Sequence, residues 1–296
     1  MNTKTAMITI AGRPNVGKST LTNYLVGEKI AIVSNKPQTT RNRICGIVTR
    51  EDTQFVFVDT PGYHRARTKL GDYMVNTVRE SIADVDATIL VVEPIASVGN
   101  QETDLIEKIK ASRCPAILAI NKIDTVEKES LLEVIAAYSQ TGIFDAIIPI
   151  SAKTGDGVED LLKTCEKYAQ KSPFLFDEDL TTDQPERQVM AEIIREKILW
   201  NLDKESPHGT AIEITRFSER DSGVIDIDAT IYCEKASHKG IIIGKQGAML
   251  KKISTQARHD CEKFMGTKVY LTTWVKVKEN WRDSDFLVRN FGYNDN

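Results

Sequence analysis

Short apolar runs alternate with stretches of helical periodicity along the first 171 residues. The runs at 6–11, 44–49, 54–59, 87–93, 116–121 and 146–151 predict strands. The stretches at 18–26, 70–83, 101–110, 127–139 and 158–169 carry apolar residues three and four apart and predict helices. Strands interleaved with helices imply an α/β domain over 1–171, with a mostly parallel sheet covered on both faces. One pair breaks the alternation. Only residues 50–53 separate 44–49 from 54–59, so these two strands are expected as an antiparallel hairpin.

Residues 172–185 (SPFLFDEDLTTDQP) combine two prolines with an acidic cluster, show no clean period, and read as a linker. Beyond them the pattern predicts a helix at 187–200, strands at 210–217 and 224–233 with a turn at Asp221-Ser-Gly223, a helix at 248–264 and a strand at 268–277. In that last strand Val269, Leu271, Thr273, Val275 and Val277 alternate with the exposed side of the strand, and Lys276 and Lys278 fall between. A second, smaller α+β domain over 186–296 is expected. No internal repeat or low-complexity tract interrupts either half.

Composition changes the picture at one end. The 296 residues carry a formal net charge of −3, which by itself argues against nucleic acid. Between Lys235 and Lys278, however, ten cations face only Asp260 and Glu262, leaving eight positive charges on 44 residues and about −11 on the remainder. Such asymmetry points to an anionic partner at that end, with a solvated lysine-rich surface as the plainer alternative. Cys45, Cys114, Cys165, Cys233 and Cys261 are scattered, odd in number and without a C-x-x-C pair, so neither zinc nor a disulfide framework is expected and a reducing cytoplasm fits. No apolar run of about 18 residues suggests a membrane span, and the start lacks the pattern of a signal peptide. His64, His208, His238 and His259 are isolated and share no metal-ligand spacing.

The first candidate chemistry follows the first strand. Gly12-Arg-Pro-Asn-Val-Gly17-Lys18-Ser19 sits between a strand and a helix, the setting a phosphate-binding loop requires. Its glycines let backbone N–H groups converge on phosphates at a helix N-terminus. Gly12, Arg13, Pro14, Asn15, Val16, Gly17, Lys18, Ser19 and Thr20 are the expected contacts, with Lys18 reaching the β- and γ-phosphates and the Ser19 hydroxyl on Mg²⁺. Asp59-Thr60-Pro61-Gly62 ends the strand at 54–59. Asp59 is placed to face the same Mg²⁺, and Gly62 to bring its N–H to the γ-phosphate and release it when that group leaves. Within Gln38-Thr39-Thr40-Arg41, one threonine is expected to close on Mg²⁺ while the γ-phosphate is present. Thr40 is the first choice and Thr39 the alternative. Lys18, Thr40 and Gly62 are thus the groups expected to act at the reacting phosphate, and Ser19, Thr40 and Asp59 those at the metal.

Asn121-Lys122-Ile-Asp124 identifies the base. Guanine offers a ring N–H and an amino group on one edge, and one carboxylate, Asp124, can accept from both. Facing adenine, the same carboxylate would find no donor and remain desolvated and unpaired. Lys122 can lay its stem over the purine, Asn121 can tie loops together, the Ala152 N–H can donate to guanine O6 and Lys153 can cover the base, with Ser151 opening that last stretch. All these stretches fall at predicted strand ends, where ligands of open α/β sheets bind.

The basic end carries a second signal, Ile241-Ile-Ile-Gly244-Lys245-Gln246-Gly247, between two helical apolar stretches. A G-x-x-G turn brings backbone close to a phosphate chain without Cβ atoms in the way. Lys239, Gly244, Lys245, Gln246, Gly247 and Lys251 are the expected contacts, Lys239 and Lys245 foremost, with a wet helix face as the plainer reading of Lys251 and Lys252. Phe264, Tyr270 and Trp274 are read as core side chains, which disfavours RNA binding by aromatic stacking.

Residues 1 to about 171 resemble a small Ras-like GTPase of the translation-factor-related class. The loop Gly12–Ser19 and Pro37-Gln-Thr-Thr-Arg41 are similar to the Era-type family, as is Trp274-Val-Lys-Val-Lys-Glu-Asn-Trp281. The second half resembles the bacterial, type II, form of the KH domain, whose G-x-x-G loop clamps about four single-stranded nucleotides. The resemblance implies a P-loop GTPase domain joined to an RNA-binding domain, with GTP or GDP and Mg²⁺ as ligands. It also implies binding of small-subunit ribosomal RNA near its 3′ end, assistance to maturation of the 30S-type subunit, and peripheral contact with the inner face of the membrane. Tyr63 stands where Ras-like switches carry a water-orienting glutamine, so slow unaided hydrolysis is expected. Arg65 and Arg67 beside it read as mobile-loop charges. Relatives with asparagine at the Asn15 position use a potassium ion beside the phosphates. A monomer is expected. Two competing classes remain from the residues alone: a signalling or trafficking switch whose basic domain meets anionic lipid, and a nucleotide-binding scaffold without turnover.

Overall fold

A computed structural model describes residues 3–36, 38–63, 68–83, 85–203 and 208–293. These residues form two compact units, one extending through Asp183 and the other beginning at Gln184 and also taking in residues 68–73. Pro37, His64, Arg65 and Arg67 lie outside the described residues.

In the first unit, β1 (Lys4–Ala11), β2 (Ile44–Arg50), β3 (Thr53–Asp59), β4 (Ala87–Val92), β5 (Ala116–Ile120), β6 (Ala146–Pro149) and β7 (Gln170–Lys171) form one sheet. Its path is β2-β3-β1-β4-β5-β6, and β7 adds antiparallel to the start of β1. All other pairings are parallel except β2 with β3, the hairpin expected from the short turn between them. The crossovers are α1 (Lys18–Val26), α2 (Lys69–Ala83, of which residues from Met74 onward belong to this unit), α3 (Asn100–Ser112), α4 (Ser130–Ser139) and α5 (Val158–Cys165). Two apolar layers form on opposite faces of the sheet. One gathers Ile8, Ile10, Phe55, Phe57, Ile89 and Val91 with Leu21 of α1 and Leu161 of α5. The other gathers Leu90, Val92, Leu118 and Ile120 with Val78 of α2, Leu105 of α3 and Val134 of α4. The strands read as continuous apolar runs because both faces are covered.

Within the segment 172–185 that reads as a linker, residues 172–183 are bound to the first unit. The Gln54 side chain accepts from the N–H groups of Leu175 and Phe176, and its amide donates to the Phe176 carbonyl. The Ile47 N–H donates to the Thr181 carbonyl at 2.9 Å, Gly46 bridges Thr182, and the Cys45 N–H donates to Asp183. β2 is an edge strand with unpaired backbone groups, and this segment satisfies some of them. Sequence periodicity carries no sign of it, because an irregular strap has none.

The second unit contains α6 (Glu186–Asn201), β8 (Ala211–Glu219), β9 (Ile225–Cys233), α7 (Ala236–Ile243), α8 (Ala248–Met265), β10 (Val269–Val277) and α9 (Asp285–Asn290). The sheet order is β10-β9-β8, with β10 parallel and β8 antiparallel to β9. Its core joins Met190, Ile194 and Ile198 of α6 to Ile227 and Ile231 of β9 and to Ile253, Ala257 and Cys261 of α8. A buried Lys197 links α6 to Asp260 of α8 and lies 3.7 Å from the Trp200 ring centroid. Trp281 is fully buried and donates its indole N–H to the Gly209 carbonyl. Among the described residues no helix is long and apolar enough to cross a membrane.

Candidate functional site

The loop from Gly12 to Ser19 leaves β1 and enters α1. Gly17 caps that helix at φ 101°, and no side chain caps it, so the first amides face the loop. Two glycines are demanded by close approach. A Cβ on Gly12 would lie 2.4 Å from the Val91 carbonyl oxygen, and one on Gly17 would lie 2.2 Å from the Asn121 amide nitrogen. The Lys18 ammonium is folded over the loop and donates to the carbonyls of Gly12 (3.1 Å) and Arg13 (2.9 Å). Pro14, Asn15, Gly17, Lys18, Ser19 and Thr20 line a cleft together with Thr39, Thr40, Gly62 and Lys122. Gly62 sits against the loop, where a Cβ would come within 2.8 Å of the Pro14 Cα. Val16 is buried in the core, Thr60 donates to the Ile10 carbonyl, and Pro61 joins Thr60 to Gly62.

At one end of the cleft three oxygen-bearing side chains meet. The Ser19 hydroxyl donates to Asp59 Oδ2 at 2.6 Å and lies 2.8 Å from the Thr40 hydroxyl. Thr39 donates to the Lys36 carbonyl at 2.6 Å. Asp59 is fully buried, and among the described residues its Oδ1 has no hydrogen-bond partner. Burial pushes its carboxyl up to about 6, against the opposing pull of Lys18 and of the hydrogen bonds from Ser19 and Thr60. Burial likewise draws Lys18 down to about 8, with Asp59 opposing. A buried carboxylate oxygen without a donor, flanked by two hydroxyls, is a hard-oxygen set suited to Mg²⁺.

At the other end, Asn121 is 2% exposed and joins two loops. Its amide donates to the Val16 carbonyl at 2.7 Å, and its oxygen accepts from the Ala152 N–H at 2.9 Å. That N–H, expected to face guanine O6, is therefore engaged by Asn121 here; the reason is that Asn121 would otherwise bury an unsatisfied amide oxygen. Ser151 donates to Asp124 Oδ1 at 2.7 Å and fixes the carboxylate's orientation. Lys122 adopts φ 67° and starts a single 3₁₀ turn, Ile123–Thr125, which carries Asp124. Lys153 is exposed next to Ala152.

In the second unit, α7 ends at Gly244 (φ 71°), Gln246 takes φ 51°, and Gly247 (φ 78°) caps α8. A Cβ on Gly244 would strike Met249 at 2.6 Å, so this glycine is needed for folding the turn. Gly247 faces open space, with nothing within 4 Å of a Cβ placed there. Lys239, Lys245, Gln246 and Lys251 are exposed around it.

The structure corrects one expectation and adds residues. Tyr270 and Trp274, read as core, are 60% and 46% exposed; only Phe264 of the three packs partly against the core. On the edge strand β10 they alternate with buried Val269 and Val275, so they point away from the helices. Residues 32–36 also line the cleft, and Asn23 holds their approach by bonding the backbone of Ile30 and Ala31. This segment has no periodicity and no recognisable motif. Glu93 and Glu102, which pair with Arg13, carried no signal either. Tyr63 is half-buried, with its hydroxyl 2.7 Å from the Lys108 ammonium on α3.

A glycine-rich loop between β1 and α1, at the strand ends of a mostly parallel sheet, defines a P-loop GTPase, here followed by a KH-like unit. The family described as 50S ribosome-binding GTPase matches residues 7–122, and the KH domain family matches residues 205–282. GTPase Era of Ruminiclostridium cellulolyticum is 51% identical over 296 residues, covering 100% of this chain and 99% of its own. A tyrosine-to-alanine variant of Aquifex aeolicus Era bound to GDP·AlF4⁻ superposes with a TM-score of 0.94 at 36% identity, covering 98% of this chain and 99% of that one. Era in complex with MgGDPNP and nucleotides 1506–1542 of 16S ribosomal RNA gives a TM-score of 0.94 at 35% identity, with the same coverage. The chain belongs to the Era family of GTPases.

Proposed function

We propose that this GTPase binds single-stranded small-subunit ribosomal RNA through the turn at 244–247 and assists maturation of the small ribosomal subunit. The observation that carries the RNA reading is the open space at Gly247 amid exposed lysines. Backbone can approach a phosphate chain there, and cations stand ready to neutralise it. The 16S complex of a relative supports the choice of RNA.

At the nucleotide, Lys18 reaches the β- and γ-phosphates, and the α1 amides complete the cradle. Ser19, Thr40 and Asp59 hold Mg²⁺, which when bound neutralises charge developing on the phosphate oxygens. Thr40 and Gly62 meet the γ-phosphate from two loops, so its loss frees both. Asp124, held by Ser151, reads the guanine edge. Asn15 donates its amide N–H to the Asn35 carbonyl at 2.8 Å, which leaves the amide oxygen beside the phosphate loop for a potassium ion. Equal hydrolysis rates in sodium and potassium buffers would remove that ion from the scheme.

The decisive experiment compares binding to single-stranded RNA from the small-subunit 3′ end with binding to anionic vesicles, in GTP and in GDP. RNA binding that differs between nucleotide states supports the reading. Vesicle binding without RNA binding would replace it with a membrane switch, and vesicle binding alongside RNA would support a protein at the inner membrane face as well as on the ribosome. Multiple-turnover phosphate release separates an enzyme from a scaffold, and sedimentation tests the monomer.

A further inference from the structure

Glu93 follows β4 and is not among the residues lining the cleft, yet it joins two loops that are. One carboxylate oxygen lies 2.6 Å from the Lys122 ammonium and the other 3.3 Å from the Arg13 guanidinium. Arg13 pairs on its other side with Glu102, which is 4% exposed on α3. The Arg13 carbonyl in turn accepts from Lys18. Alternating charges thus run from α3 through the phosphate loop to the loop that carries the guanine-reading Asp124. Each cation is held between carboxylates or by one already fixed, so less side-chain freedom is lost when a nucleotide arrives.

We infer that Glu93 is a positioning residue for guanine nucleotides, anchoring the far end of Lys122 so that its stem covers the purine, and tying that loop to Arg13. The inference rests on the nucleotide-site reading above. Its contacts lie with the purine loop and Arg13, away from Thr40 and Gly62, so it serves GDP and GTP alike.

The test is the release rate of fluorescent GDP and of a non-hydrolysable GTP analogue from the full chain, measured by stopped flow. Glu93→Ala should speed both about threefold to fivefold, by the same factor, as expected for partly exposed ion pairs. Glu93→Gln keeps the shape and should do nearly the same, with the difference from the native protein shrinking as salt is raised. In a double-mutant cycle, Glu93→Ala should add less in a Lys122→Ala background than in the native one. Unchanged release in both Glu93 variants, or full additivity with Lys122→Ala, would overturn the inference while leaving the site intact. If Lys122→Ala itself left release unchanged, the purine-covering role of Lys122 would fall first.

Discussion

At the carboxyl ends of β1, β3, β5 and β6 the functional side chains hold one another, whereas the lysines around the turn at 244–247 make no ion pair among the described residues. Lys18, Thr40, Asp59, Asn121 and Ser151 are buried in the nucleotide domain, and each is hydrogen-bonded. Ser19 bonds Asp59, Asn121 bonds Val16 and Ala152, and Ser151 bonds Asp124. The turn in the second unit is prepared only in its backbone, by three positive φ angles. A small ligand with fixed donors and acceptors rewards preset partners, because each unmatched buried group costs free energy. A flexible polyanion rewards exposure and loose cations, since most of its affinity comes from released counterions.

Breaking the buried site should cost most. Lys18→Ala should weaken GTP binding roughly a hundredfold or more, the scale of a buried charged hydrogen-bond donor, and equilibrium titration with fluorescent GTP measures it. Undiminished affinity would refute the phosphate-loop role. Asp124→Asn should move preference from guanine toward xanthine nucleotides by tens-fold, read in competition assays, and a variant still strict for GTP would contradict the base-reading role.

The exposed turn should be gentler to perturb. Gly247→Asp has room for its side chain but places a carboxylate where phosphates would pass. RNA affinity should fall roughly thirtyfold while GTP hydrolysis and the unfolding temperature stay close to native. Unchanged RNA affinity would count against the clamp. The smallest effect sharpens the contrast through pH. Burial raises the Asp59 carboxyl to about 6, so its protonated form is favoured relative to an unfolded chain. Mg²⁺ needs the carboxylate. Apparent Mg²⁺ affinity should therefore be flat above about pH 6 and fall as pH drops through that value, by about tenfold for one further unit. Affinity unchanged down to pH 5 would remove Asp59 from the metal. Among the described residues no carboxyl falls between Lys235 and His259 around the turn, so RNA binding should not show that break.

Much of both sites was legible because each motif fixes its own local geometry. A glycine-rich loop between strand and helix, or two glycines between helices, leaves few backbone choices. The exposure of Tyr270 and Trp274 was not legible, since an alternating strand shows two faces but not which neighbours cover the second. Nor was the strap at 172–183 along β2, or the 2.8 Å contact between the Ser19 and Thr40 hydroxyls, which joins residues 21 apart.

Order along the chain determined the strand and helix alternation, the glycine-rich loop after β1, the turn that carries Asp124 and the G-x-x-G turn. Each of these depends on residues close in sequence. Only the tertiary structure decided which oxygens meet at Asp59, that Asn121 closes two loops, and that Glu93 links Arg13 to Lys122. Those pairings join residues separated by tens of positions, and they are set by how the sheet brings its strand ends together in space.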